Sequence, residues 1–267
     1  MGNSMTLKDK ASFHHPTQRV LDVMSFLAVH PEGSTLTEIS DRTEIPKSTL
    51  VPILYTLLGQ RFISINRSTM RYVVGIKALI VGSACTESEP LLVLIKEELK
   101  EIVTKCSETC QLGILEGGDV FYVVKIDSPE PIRMISSVGA CVPAYATALG
   151  KALVSDYSEV ELKKLFPKPF SLITANTKKD ISELYCEVKK QAQNGIFMER
   201  EESTKGIICY ALPLKKNEKI VAAISVTAPI FRLDKTKEKQ IKTALIVAQK
   251  KIEKLINKYS STDNFFI

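Results

Sequence analysis

The stretch Thr35-Leu-Thr-Glu-Ile-Ser-Asp-Arg-Thr-Glu-Ile-Pro-Lys-Ser-Thr-Leu-Val-Pro-Ile-Leu-Tyr-Thr-Leu-Leu-Gly-Gln-Arg-Phe-Ile63 decides how this chain folds. Thr35 and Glu38 have the Thr-x-x-Glu spacing of a capping box, in which each side chain satisfies a free backbone N–H of the other. A helix therefore opens here, with Leu36 and Ile39 inward. It closes near Thr43, because Pro46 biases the residue before it away from helical geometry. Leu50, Ile53, Leu54, Leu57 and Leu58 then recur at helical spacing and form the apolar stripe of a second helix. Two short helices joined by a tight turn make a helix-turn-helix, the unit that enters the DNA major groove.

The outward face of the second helix is Ser48, Thr49, Pro52, Tyr55 and Thr56, groups small or flat enough to approach base edges and phosphates. No Asp or Glu occurs from Ile45 to Thr86, whereas Lys47, Arg61, Arg67, Arg71 and Lys77 all do. A helical hairpin with a solvated basic face is the bland alternative. The flanking sequence argues against it. Residues 17–30 place Val20, Leu21, Met24, Leu27 and Ala28 on one face of a supporting helix. Phe62, Ile63 and Ile65, then Tyr72 to Val74, flank the turn-prone Asn66-Arg67-Ser68-Thr69, a hairpin wing that brings Arg67 and Arg71 to backbone phosphate. Lys47, Arg61, Arg67 and Arg71 are thus expected on phosphates, and Ser48, Thr49 and Tyr55 on base edges.

This winged helix-turn-helix fills residues 17–75. Residues 1–16 are polar, unpatterned and expected to be disordered. Residues 76–89 read as a linker helix whose Ile76, Leu79 and Ile80 are the expected dimer contact. Residues 90–260 alternate differently: a helix at 91–103, strands at 110–115 and 120–126 around Glu116-Gly-Gly-Asp119, and a strand at 132–135. Helices follow at 146–154, 158–165 and 181–193, strands at 207–214 and 220–226, and a long amphipathic helix at 234–259. Helices flanking a mostly antiparallel sheet make this an α+β domain of the sensor type.

With 267 residues and a net charge of +6, the chain can bury two cores and meet nucleic acid on one face. No apolar run reaches membrane-spanning length and the first ten residues are too polar for a signal peptide, so a cytoplasmic protein is expected. The six cysteines show no Cys-x-x-Cys pair and are expected to stay reduced. Cys106 and Cys110 could hold a metal on one helix face. The three histidines, His14, His15 and His30, lie far away, so packing is the better reading. Gly150-Lys151 lacks the glycine and hydroxyl residue that a phosphate-binding loop requires, and no nucleophile elbow or His-Glu-x-x-His pair exists. No enzymatic activity, metal or cofactor is expected.

Three motifs carry a resemblance to the IclR family of bacterial transcriptional regulators, over residues 17–259. They are Ile45-Pro-Lys-Ser-Thr49, Pro143-Ala-Tyr-Ala-Thr-Ala-Leu-Gly-Lys-Ala152, and Gly206-Ile-Ile-Cys-Tyr-Ala-Leu-Pro213 continued by Ala223-Ile-Ser-Val-Thr-Ala-Pro229. The resemblance implies a GAF-like effector domain, a homodimer or homotetramer on double-stranded DNA, and a pocket lined by Ala146, Thr147, Glu199, Cys209, Ser225 and Thr227. The expected effector is a small organic acid, its carboxylate received by Thr147 at a helix start. Glu201 and Glu202 read as solvated. A DNA-binding protein whose second domain only mediates assembly is the competing reading. One residue departs from the family: Pro52 stands where an Arg is common. A helix starting later, with Thr49 as N-cap, or a kink, would accommodate it.

Overall fold

The computed structural model describes residues 13–87 and 90–259. Contacts divide the chain into two compact units, the first ending before residue 89.

In the first unit, α1 (His15–Ala28), α2 (Leu36–Thr43) and α3 (Lys47–Gly59) precede a hairpin of β1 (Ile63–Asn66) and β2 (Arg71–Val74), and α4 (Ile76–Glu87) follows. The Thr35–Glu38 capping box forms as read, and α2 ends on Glu44 in the left-handed region, φ 57°. Val23, Leu27, Ile39, Ile45, Leu50, Leu54, Leu57 and Ile63 make one core, to which each Leu or Ile contributes about 1.5–3 kcal/mol. Ser34 adds a third edge to the wing by exchanging both backbone hydrogen bonds with Tyr72 (3.0 and 2.8 Å). The preceding Gly33 has φ +79°, and a Cβ there would lie 2.7 Å from Val73 Cγ1.

Two expectations for this unit are corrected. α1 begins at His15, inside the stretch expected to be disordered; residues 1–12 lie outside the described ones. α3 does not start late. Its N-cap is Pro46, whose carbonyl accepts from the N–H of Thr49 and Leu50 (both 2.9 Å), and Pro52 lies inside the helix. A missing N–H costs nothing at the cap, whereas an interior proline costs about 3 kcal/mol. Burial of Leu50, Leu54 and Leu57 on the opposite face offsets that cost.

The second unit runs α5 (Pro90–Cys106), β3 (Thr109–Glu116), β4 (Asp119–Ile126), β5 (Cys141–Pro143), a 3-10 turn (Ala144–Ala146), α6 (Ala148–Leu153), α7 (Glu159–Leu165) and α8 (Ile181–Ala192). It closes with β6 (Phe197–Arg200), β7 (Ile207–Lys216), β8 (Lys219–Pro229) and α9 (Lys235–Tyr259). The strands form one antiparallel sheet in the order β5-β4-β3-β8-β7-β6. Alternation along β7 explains the layering. Ile208, Tyr210 and Leu212 pack with α5 and α9 on one face, and Cys209 and Ala211 with α6 and α8 on the other.

No strand forms at 132–135, which follows Pro129 and Pro131. Ile132 and Ile135 are 62% and 92% exposed, and β5 instead takes the edge of β4. Four-residue β6 escaped the sequence reading. The expected helix over 146–154 is interrupted at Thr147, which caps α6. There Gly150 lets the helix pass the preceding turn, since a Cβ would sit 2.0 Å from the Ala144 carbonyl oxygen. Cys106 ends α5 and Cys110 lies in β3, so they share no helix; both pack in the core. Among the described residues no group of His, Cys, Asp and Glu could hold a metal, and no helix is long and apolar enough to cross a membrane.

Candidate DNA interface and effector pocket

α3 presents Lys47, Ser48, Val51, Pro52, Tyr55 and Thr56 to solvent, Tyr55 being 80% exposed, while Thr49 is half-buried. The Thr56 hydroxyl donates to the Pro52 carbonyl (2.9 Å). Arg61 is exposed in the left-handed turn after α3, φ 62°. Arg67 is exposed at the wing tip. There Asn66 Oδ1 accepts from Ser68 N (3.0 Å), Ser68 Oγ (2.6 Å) and Thr69 N (3.3 Å), an Asx turn that shapes the loop. Arg71 differs. Its guanidinium donates to both Glu38 oxygens (3.1 Å each) and to the Gly33 carbonyl (2.6 Å), so it braces the wing against α2. The backbone N–H of Thr35 first, and then Arg71 itself, hold the Glu38 carboxyl below its ordinary range. This keeps Glu38 ionised and Arg71 engaged, against the expectation that Arg71 is free for phosphate.

In the second unit the register brings the expected pocket residues together. Glu199 lies opposite Cys209 and Cys209 opposite Thr227, a row across β6, β7 and β8; Ser225 lies opposite Gln111 on β3. Thr147, Ala148 and Leu149 close the row from α6, with Tyr122, Met134 and Ser203. Cys209 Sγ and Thr227 Oγ1 are 3.1 Å apart, Thr227 Oγ1 lies 3.5 Å from Gln111 Oε1, and Gln111 Nε2 donates to Ser136 Oγ (2.7 Å). The enclosed space is about 10 Å³, room for about one water molecule.

Two assignments change. Ala146 does not line this space; it is wholly buried in the apolar cluster before the cap, and Ala148 and Leu149 take its place. Thr147 is present, but its hydroxyl is already used, accepting from Gly150 N (3.0 Å). Gln111, Tyr122, Met134 and Ser203 were missed. Gln111 carried a signal, a polar side chain at a core-facing strand position; Met134 and Ser203 sit in connections with no periodicity to place them.

Glu199 has no exposed surface. Burial pushes its carboxyl up, against the opposing pull of Glu202 N–H (2.8 Å) and Ser203 Oγ (3.1 Å). Burial likewise pushes the Cys209 thiol well up, reinforced by Glu199, and raises the Tyr122 phenol. Thiol and phenol are therefore hydrogen-bond donors near neutral pH. Behind this layer lies an ion cluster. Lys151, fully buried, donates to Glu187 (2.5 Å), Glu202 (2.6 Å) and the Met198 carbonyl (3.3 Å), and Lys178 also pairs with Glu187. Glu202 is 4% exposed, which corrects its reading as solvated; Glu201 accepts from Gly206 N (2.8 Å).

A winged helix-turn-helix joined to a curled antiparallel sheet with helices on both faces defines a class of transcriptional regulator. Residues 16–65 match the IclR helix-turn-helix domain, and residues 84–254 match the bacterial transcriptional regulator IclR C-terminal domain. The chain belongs to the IclR family of DNA-binding transcriptional regulators. It is 28% identical over 236 residues to the HTH-type transcriptional regulator BhcR of Paracoccus denitrificans, covering 88% of this chain and 84% of that one. The fold matches an IclR transcriptional regulator from Alicyclobacillus acidocaldarius with a TM-score of 0.80 at 21% identity, covering 91% and 99% of the two chains. It also matches an IclR homolog from Microbacterium hydrocarbonoxydans, solved with 4-hydroxybenzoate, with a TM-score of 0.70 at 16% identity, covering 90% and 99%.

Proposed function

We propose that this regulator changes its affinity for operator DNA when a small organic acid enters the space beneath Thr147. The observation that carries the reading is the row Glu199, Cys209, Thr227 with Ser225 and Gln111, polar groups gathered on the apolar face of a sheet. Buried polar groups are costly unless they are paired, and a ligand hydroxyl, keto or carboxyl group pairs several at once. The 4-hydroxybenzoate on a structural neighbour supports the same class of ligand. A buried Glu199 disfavours a dianion, so the effector is a monocarboxylate bearing a hydroxyl or keto group. Thr147, engaged as a cap, orients the two N–H groups that follow it. On the DNA side, Lys47, Arg61 and Arg67 bind phosphates, and Ser48, Thr49 and Tyr55 lie against base edges. The exposed Ile76, Leu79 and Ile80 of α4 are the dimer contact. The protein works in the cytoplasm as a homodimer or homotetramer and catalyses nothing.

The closed space of about 10 Å³ favours a second reading, in which the sheet domain only assembles copies of the chain. Screening small monocarboxylates by thermal shift on wild type and on the Ser225→Ala, Thr227→Val variant separates the two. The effector reading expects an acid that raises the melting temperature of wild type in a concentration-dependent way and that of the variant less. An equal shift in both places the ligand elsewhere, and no shift from any acid favours the assembly reading.

A further inference from the structure

We infer that the main chain of α3 reads DNA directly: the Ser48 carbonyl, freed by Pro52, accepts a hydrogen bond from a base amino group in the major groove. In an α-helix the carbonyl of residue 48 takes the N–H of residue 52. Residue 52 is proline, which has no N–H and whose ring presses on that same carbonyl, and it lies within the helix rather than at its first turn. The carbonyl thereby loses the donor that the helical ladder would give it. It belongs to the exposed face: Ser48, Val51, Pro52 and Tyr55 are all exposed, whereas Leu50, Leu54 and Leu57 are buried behind them. It also lies in the N-terminal part of α3, the part of a recognition helix that meets base edges.

The chemistry fixes what it can read. An acceptor taken out of water must regain a donor. In the major groove only adenine N6 and cytosine N4 offer one; guanine O6 and thymine O4 are acceptors and oppose it. A side chain at position 52 could choose otherwise, but a main-chain acceptor selects an amino-bearing base whatever the neighbouring side chains do. The inference rests on α3 entering the groove and is independent of the effector.

The test is selection of bound sequences from a random duplex library by the full chain and by Pro52→Ala, followed by affinity measurements on the enriched sites. Alanine restores the N–H and favours the helix, so the variant keeps its fold. Wild type is expected to enrich adenine or cytosine at one position per half-site, a preference that Pro52→Ala loses. Replacing that adenine by purine, or that cytosine by 2-pyrimidinone, removes the amino group. It should weaken wild-type binding about fivefold and leave Pro52→Ala nearly unaffected. Equal enrichment in the two proteins, or an equal loss on amino deletion, overturns the inference and leaves the proline ring or side chains as the readers. Binding by wild type without any enriched position overturns it too, while a failure to retain DNA at all counts against the α3 interface itself.

Discussion

Glu199 is held without exposed surface between the backbone of residue 202 and the Ser203 hydroxyl, with its carboxyl pushed above the ordinary value of 4.5 by burial. In the interval from 4.5 to the raised value, the folded chain binds more protons than the unfolded one. Stability from this site is greatest below 4.5 and is lost as pH rises through the folded value. Glu199→Gln lacks that slope, so chemical denaturation should show the variant gaining on wild type as pH climbs from 4.5. A constant difference across that range would show that the carboxyl is not shifted. Arg232 and Glu108 make a different case. The Glu108 carboxylate is fully buried and receives Arg232 Nε (2.9 Å) and one terminal guanidinium nitrogen (2.7 Å), with Lys237 at 3.6 Å. Arg232→Ala leaves a buried charge with only Lys237. It should cost about 3 kcal/mol, the low end for a broken buried pair; a loss under 1 kcal/mol would mean that water reaches Glu108. The two wing arginines should separate. Arg67→Ala should weaken binding across all sequences and reduce the salt slope by about one, whereas Arg71→Ala should chiefly loosen the wing, read as faster amide exchange in β1 and β2. Equal salt-slope losses would return Arg71 to the phosphates.

Among the elements, α6 shows how much a short helix depends on what holds it. It has only six residues, too few to persist alone. It stands because Thr147 caps it, Gly150 lets it pass the preceding turn, and Lys151 anchors it to Glu187 and Glu202. Lys151→Met leaves the buried Glu202 with Lys178, 3.7 Å away, as its remaining cation and should cost about 3–5 kcal/mol, a loss that adding Glu202→Leu should partly recover by removing that carboxylate. No recovery in the double variant would assign the cost to packing of the Lys151 stem. The sequence pattern revealed those elements whose period was regular: α2 with its capping box, α3 with its leucine stripe, β3 and β4 around Gly117-Gly118, and α9. It failed where tertiary contacts decide. Residues 132–135 read as a strand yet find no strand partner, four-residue β6 is too short for a period, and Pro52 is carried inside α3 by leucines packed on the far side. In the pocket, Ser225 and Thr227 were named through the family resemblance, and their spacing of two puts both on one face of β8. Ser203 and Met134 were not, because only chain closure brings those loops over the sheet. The Lys151–Glu202 pair, 51 residues apart, left no local trace.

As a whole molecule the chain joins a DNA-reading unit to a sheet domain that buries polar groups in one place. One recognition helix reads only a few base pairs, so useful specificity needs two copies related by symmetry. Leu79→Lys with Ile80→Lys on α4 should shift light scattering toward smaller species and weaken binding to a palindromic site more than to its half-site; unchanged mass and affinity would move the contact elsewhere. A ligand alters DNA affinity only if it binds one arrangement of the assembly better than the other. The most direct test is therefore fluorescence anisotropy on a selected operator, titrated with wild type and with the Ser225→Ala, Thr227→Val variant across a panel of hydroxy and keto monocarboxylates. An acid from that panel should change wild-type affinity at least fivefold and the variant's far less. Identical operator affinity in every acid, or the same change in both proteins, would contradict the claim that this pocket governs DNA binding.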